Sequence, residues 1–136
     1  MNKLIGLLLL TVITSCGKDA IKKKQENLVM QAITNGQWKV SLYDKGGTDI
    51  AGNFAAYAFQ FKDNFTVDAI NNGVVEKTGT WNANADTQTF SSYFVNVSEP
   101  LLLLNGDWLI TSSSWTYVKA RQTVNGELRI LRLEKL

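Results

Sequence analysis

The chain has 136 residues and a formal net charge of +2, with one cysteine and no histidine. The absence of histidine removes the usual general base, the His-containing catalytic dyads and triads, and the commonest nitrogen ligand of transition metals. From Gly36 onward nine Lys or Arg stand against ten Asp or Glu, so the folded part lacks the basic face that nucleic-acid binding requires. We therefore expect no enzyme, no metal site, no cofactor and no nucleic-acid partner.

The N-terminus has the pattern of a secretory signal. Lys3 precedes an apolar run over residues 4–13, which is about half the length that a membrane-spanning helix needs. Residues 13–16 (Ile-Thr-Ser-Cys) resemble the lipobox of bacterial lipoproteins. That resemblance implies that residues 1–15 are a cleaved signal peptide, that Cys16 carries lipid such as palmitate, and that the protein is anchored at a membrane of the cell envelope, most simply the outer membrane.

A lipidated tether and a short helix follow the signal. The basic cluster Lys22–Lys24 stands beside Cys16, where it serves as a solvated tether or meets anionic headgroups. Within residues 20–34, apolar side chains recur near helical spacing and end at Asn35-Gly36, which suits a helix C-terminus. We therefore divide the chain into residues 1–15, 16–35 and a β domain over 36–136.

From Trp38 onward the apolar period changes to two, which predicts strands. The expected strands are 38–43, 57–61, 65–69, 75–81, 89–95, 107–113, 115–121 and 127–136. In the first of them, Trp38, Val40 and Leu42 are expected to face one side and Tyr43 the other. Turns are predicted at Asp63-Asn64 and at two Asn-Gly pairs, and the leucine-rich stretch 99–105 is predicted to cover one end of a barrel.

Eight short strands joined mostly by tight turns favour a closed sheet, because closure removes exposed strand edges. We therefore predict a mainly β fold, an eight-stranded antiparallel up-and-down barrel preceded by a short N-terminal helix. A two-sheet sandwich is the alternative.

A family resemblance supports the barrel. Gly36-Gln37-Trp38 resembles the Gly-x-Trp opening of lipocalins. The lipocalin-like lipoproteins of Bacteroidetes are similar over the ranges 38–40, 54–61, 79–81, 104–108 and 133–136. The resemblance implies that Trp38 packs across a closed barrel end under Arg129 or Arg132 of the last strand.

Two functions remain open. In the first, the barrel binds a small apolar ligand beside aromatic residues near its mouth, with lysines to receive a carboxylate. The ligand-binding candidates are Tyr57, Trp81, Trp108, Trp115, Lys77 and Lys119. In the second, the aromatic rings are simply the core, and the protein is an interaction module or inhibitor that presents the loops 44–53 and 98–105 to a protein partner.

Overall fold

The computed structural model describes residues 28–136. It contains a helix over residues 28–34 followed by an antiparallel sheet. The strands are β1 (Trp38–Lys45), β2 (Thr48–Asp49), β3 (Tyr57–Phe61), β4 (Thr66–Asn71), β5 (Val74–Asn84), β6 (Thr89–Tyr93), β7 (Gly106–Ser113), β8 (Tyr117–Val124) and β9 (Glu127–Lys135). Two 3-10 helices, Ala51–Phe54 and Leu101–Leu104, interrupt the order after β2 and β6.

The sheet closes on itself. Each long strand pairs with its neighbour in the chain, and β1 pairs with β9 from Trp38–Lys135 to Lys45–Arg129. This closing ladder confirms the eight-stranded up-and-down barrel and excludes the sandwich, while β2 adds only a short hairpin to β1. Residues Ala32–Leu136 form one compact unit.

The two Asn-Gly turns are confirmed. Asn72 and Gly73 have φ values of 49° and 82°, and Asn125 and Gly126 have 51° and 79°. Positive φ at both central residues defines the turn that best matches the twist of a two-residue hairpin, and Asn and Gly adopt it most readily.

The predicted two-residue turn at Asp63-Asn64 is wrong. Phe65 has a φ of 65° and belongs to the turn, and the Lys62 N–H donates to the Thr66 carbonyl at 2.9 Å across it. As the third residue of the turn, Phe65 lies outside the strand and is half exposed. The centre of its ring lies 5.6 Å from that of Trp81.

A bulge in β1 reverses the predicted orientation of Tyr43. Val40 pairs with Leu133 whereas Leu42 pairs with Arg132, so Ser41 is an extra residue in the ladder. Its hydroxyl donates to the Arg132 carbonyl at 3.3 Å. Because one inserted residue shifts the alternation, Tyr43 points inward and is fully buried.

The predicted arginine over Trp38 is also wrong. The Lys135 ammonium occupies that position, 5.2 Å from the centre of the Trp38 ring, and donates to the Ala32 carbonyl at 3.0 Å. Arg132 instead lies over the ring of Tyr117 at 4.3 Å, and Arg129 pairs with Glu127 at 3.1 Å. Lys135 shares the inward parity of Leu131 and Leu133, which explains why it reaches the tryptophan.

Candidate functional site

The barrel has two ends with different coverings. We call the end that holds Trp38 and the 62–65 turn the mouth, and the end that holds the two 3-10 helices the plug end. Strand direction fixes this division, because β1 runs from Trp38 at the mouth to Lys45 at the plug end and every later strand alternates.

At the plug end, Tyr43 fastens the second 3-10 helix to the barrel. Its hydroxyl donates to the Leu103 carbonyl at 2.7 Å, its ring stacks on Phe54 of the first 3-10 helix at 5.5 Å, and it meets the edge of Trp108 at 5.9 Å. Burial raises the pKa of the Tyr43 phenol above its ordinary value. The interaction keeps both 3-10 helices seated over the interior.

The carbonyl of Leu104 links the second 3-10 helix to β6 and β7. It accepts hydrogen bonds from the Ser92 hydroxyl at 2.6 Å and from the Trp108 indole at 3.0 Å. Leu101, Leu103 and Leu104 are buried and Leu102 is about half exposed. The sequence-based prediction that this stretch covers a barrel end is therefore confirmed.

The mouth is lined entirely by apolar side chains, but the void behind them is small, about 30 Å³. Its walls come from the end of the helix and from seven strands: Ile33, Trp38, Phe61, Trp81, Phe90, Ile110, Val118 and Leu133. Hydrogen bonds to backbone carbonyls hold two of the indoles in place. The Trp38 Nε1 donates to the Ile33 carbonyl at 2.8 Å, and the Trp81 Nε1 donates to the Lys62 carbonyl at 2.9 Å.

A second void of about 10 Å³ lies deeper, and Phe61, Phe90 and Leu133 border both voids. Pockets that hold small ligands usually measure about 300–1,000 Å³. The interior of the described barrel is therefore filled by its own aromatic and leucine side chains.

The six predicted ligand-binding residues do not come together. Trp81 lines the mouth, but Trp108 is fully buried against the plug. Trp115 lies in the β7–β8 turn and is 57% exposed. Tyr57 lies toward the plug end, where its hydroxyl donates to Glu76 at 2.6 Å. This hydrogen bond raises the pKa of Tyr57 and lowers that of Glu76.

The two lysines are also apart. Lys77 is exposed on β5, and Lys119 is half-buried on the outer wall, because its neighbour Ala120 carries the inward parity of β8. Their role as carboxylate ligands stays a prediction.

A larger concavity lies on the outer wall. It measures about 590 Å³, and we call it the wall groove; its lining residues are Thr89, Asp107, Leu109, Arg121, Gln122, Thr123 and Leu128. Sequence reasoning missed it because it depends on where the ladder between two strands stops. Alternation does mark the outward residues of β7 and β8, but nothing in the sequence shows that these strands separate.

Cys16, the predicted signal peptide and the Lys22–Lys24 cluster lie outside the described residues. Within residues 28–136, the helix is too short and too polar to span a bilayer. The same range holds no group of three or more His, Cys, Asp or Glu side chains placed to bind a metal ion.

The geometry defines a small closed β-barrel with a filled interior and a groove on its outer wall. Among solved structures, the fold is similar to that of a DUF4847 family protein from Bacteroides vulgatus, with a TM-score of 0.55 and 13% sequence identity. The match covers 78% of this chain and 96% of that protein. No family model and no curated protein matches the sequence. At this identity the likeness shows a shared barrel fold.

Proposed function

We propose that this chain is a lipid-anchored lipoprotein of a bacterial cell envelope whose barrel is a protein-interaction module and holds no ligand inside. The observation that carries the proposal is the filled interior. Voids of about 30 and 10 Å³ have room for roughly one or two water molecules each, which supports a barrel that holds no fatty acid or similar ligand.

The closed plug end supports the same conclusion. Tyr43, Ser92 and Trp108 tie the second 3-10 helix to three different strands, so opening the interior from this end would break buried hydrogen bonds. Each such bond leaves an unsatisfied buried group when it breaks, at a cost of about 1–3 kcal/mol. A barrel closed in this way offers partners its outer surface.

The anchor is proposed from the lipobox resemblance at Cys16. Metabolic labelling with a radioactive or alkyne-bearing palmitate tests it in cells. We expect label on the wild-type protein and none on Cys16→Ser, together with loss of the variant from the membrane fraction. Equal labelling of both proteins would refute lipidation at this residue.

The filled interior is tested by titration of the chain from residue 17 onward, which retains every strand, with fatty acids and other apolar molecules. Trp38 and Trp81 line the mouth, so any ligand that enters would alter tryptophan emission. We expect no saturable change. A saturable spectral shift, lost when Ile33 is replaced by Trp to block the mouth, would overturn the interaction-module proposal.

That outcome would favour the second candidate, a carrier of a small apolar ligand. The feature in its favour is the apolar lining of the mouth, to which no charged side chain contributes. Binding would require movement of Phe61, Phe90 or Leu133, the residues that border both voids, because each void alone is far smaller than such a ligand.

A further inference from the structure

The wall groove lies where β7 and β8 separate. Their ladder runs from Ser113–Val118 at the mouth to Leu109–Arg121 and ends there. Toward the plug end, β7 continues to pair with β6 as far as Ser92–Gly106, and β8 continues to pair with β9 as far as Val124–Glu127. The barrel wall therefore contains a short fissure between two strands that are each supported on their other side.

Backbone groups line this fissure. The Ile110 N–H donates to the Gln88 carbonyl, on the β6 side, so alternation directs the backbone groups of Asp107 toward β8. Arg121 pairs with Leu109, so the same alternation directs those of Thr123 toward β7. Asp107 and Thr123 form no ladder pair with each other, so the facing edges of β7 and β8 are not paired along this part of the wall.

The side chains at the groove supply one free cation and one anion. Arg121 is exposed, and its guanidinium makes no ion pair or hydrogen bond with any residue of the described barrel. Asp107 accepts a hydrogen bond of 3.4 Å from the Tyr93 hydroxyl. Since Leu109 faces Arg121 across the ladder, Arg121 and Asp107 lie about two residues apart along the strand direction, roughly 7 Å.

Apolar surface joins the two charges. Leu109 and Leu128 are 37% and 47% exposed and both line the groove. The inner side of the fissure is closed by Gln122, whose amide approaches the Asn105 carbonyl at 3.5 Å, so a ligand would stay on the outer wall.

We propose that the wall groove binds an extended peptide segment of a protein partner, which adds main-chain hydrogen bonds to Asp107 and Thr123 and places an acidic side chain at Arg121. A basic side chain two residues away along the segment meets Asp107. This inference deepens the proposed function and rests on it, since it names the surface of the interaction module and the chemistry of its partner.

The test uses acetyl-Thr-Glu-Val-Lys-Thr-amide as the probe and acetyl-Thr-Ser-Val-Ser-Thr-amide as its neutral control. Amide chemical shifts of the isotope-labelled chain from residue 17 onward are followed by NMR during titration. We expect saturable shifts that cluster at Asp107, Leu109, Arg121, Thr123 and Leu128, with the neutral peptide binding more weakly.

Two charge reversals provide the matched comparison. Arg121→Glu is expected to weaken binding of the charged peptide by about tenfold or more, equivalent to the loss of a favourable ion pair. Lys39→Glu makes the same change in net charge on an exposed residue of β1, away from the groove, and is expected to leave binding unchanged.

The inference is overturned if the charged peptide produces no saturable shifts, if the shifts lie elsewhere, or if both reversals weaken binding equally. Shifts at the groove that depend on protein concentration without peptide would show a second copy of the chain as the occupant and would also overturn it. None of these outcomes bears on whether the interior is filled. Conversely, a saturable response to fatty acids would overturn the proposed function without changing the result of the peptide titration.

Discussion

Tyr43 contributes to the barrel through both its ring and its hydroxyl. The ring fills the space between Phe54 and Trp108, and the hydroxyl satisfies the buried carbonyl of Leu103. A phenylalanine at this position would keep the packing and leave that carbonyl without its donor.

Tyr43→Phe is therefore expected to lower the free energy of unfolding by about 1–2 kcal/mol. Tyr57→Phe is the control, since it removes an exposed hydrogen bond to Glu76 and is expected to cost less than about 0.5 kcal/mol. Urea denaturation of the three proteins measures both values, and equal costs would contradict the role assigned to Tyr43.

Asp68 is a buried carboxylate on the outer side of β4. The Lys62 ammonium at 2.7 Å and the Thr78 hydroxyl at 2.7 Å hold its pKa below the ordinary value of 3.8. A carboxyl group with a lower pKa in the folded state stabilises the protein above its unfolded pKa. That contribution disappears as the pH falls through the folded value.

We expect Asp68→Asn to abolish this part of the acid dependence of stability, so that the wild type and the variant converge as the pH falls from 5 toward 2. A carboxyl-carbon NMR titration would locate the Asp68 pKa directly. A midpoint at or above 3.8 would refute the proposed effect of Lys62 and Thr78.

At the scale of elements, β5 and β6 approach closely because Gly79 has no side chain. A Cβ at this position would overlap the Tyr93 carbonyl oxygen and lie 2.8 Å from a ring carbon of Phe94. Phe94 is buried, and the Tyr93 carbonyl belongs to the backbone of β6, so neither moves without cost.

Gly79→Ala is expected to destabilise the protein by about 2–3 kcal/mol through overpacking. Gly52→Ala is the matched control, because a Cβ there meets open space and its φ is not in the left-handed region. Thermal denaturation should give a clear decrease in Tm for the first variant only. A similar Tm for both would mean that the strands separate without cost.

Alternation of apolar residues was sufficient to predict the eight long strands and their order, and the Asn-Gly pairs predicted the two tight turns, whereas the short β2 was not predicted. It failed at Tyr43 and at Phe65, where one extra residue changes which face a side chain takes. Bulges of this kind depend on the curvature of the closed barrel, and the local pattern of β1 contains no signal for Ser41 as the inserted residue.

The candidate site, too, was only partly predictable from the sequence. Residues 101–104 could be assigned as a cover from their leucines alone, because few other positions would bury three of them. The wall groove could not be predicted, because it arises where β7 and β8 stop pairing over their last three residues at the plug end. Likewise, the four aromatic ligand-binding candidates expected near the mouth and the two lysines chosen by parity lie at different heights and on different faces of the barrel.

For the molecule as a whole, the filled interior connects the fold to the proposed function. Phe90 is one of three residues that border both internal voids, together with Phe61 and Leu133, and its ring also stacks on Trp108. Phe90→Ala is expected to join them into one apolar cavity and to destabilise the protein by about 3–4 kcal/mol. Phe65→Ala removes a half-exposed ring of the same size and should create no cavity.

The most direct test of the filled barrel is the Tm of the wild type, Phe90→Ala and Phe65→Ala, each with and without saturating toluene. We expect toluene to raise the Tm of Phe90→Ala alone, because a ligand that binds only the folded state stabilises it. A comparable increase in the wild type would show that the native interior already accepts an apolar ligand, and it would contradict the account of the barrel as a filled interaction module.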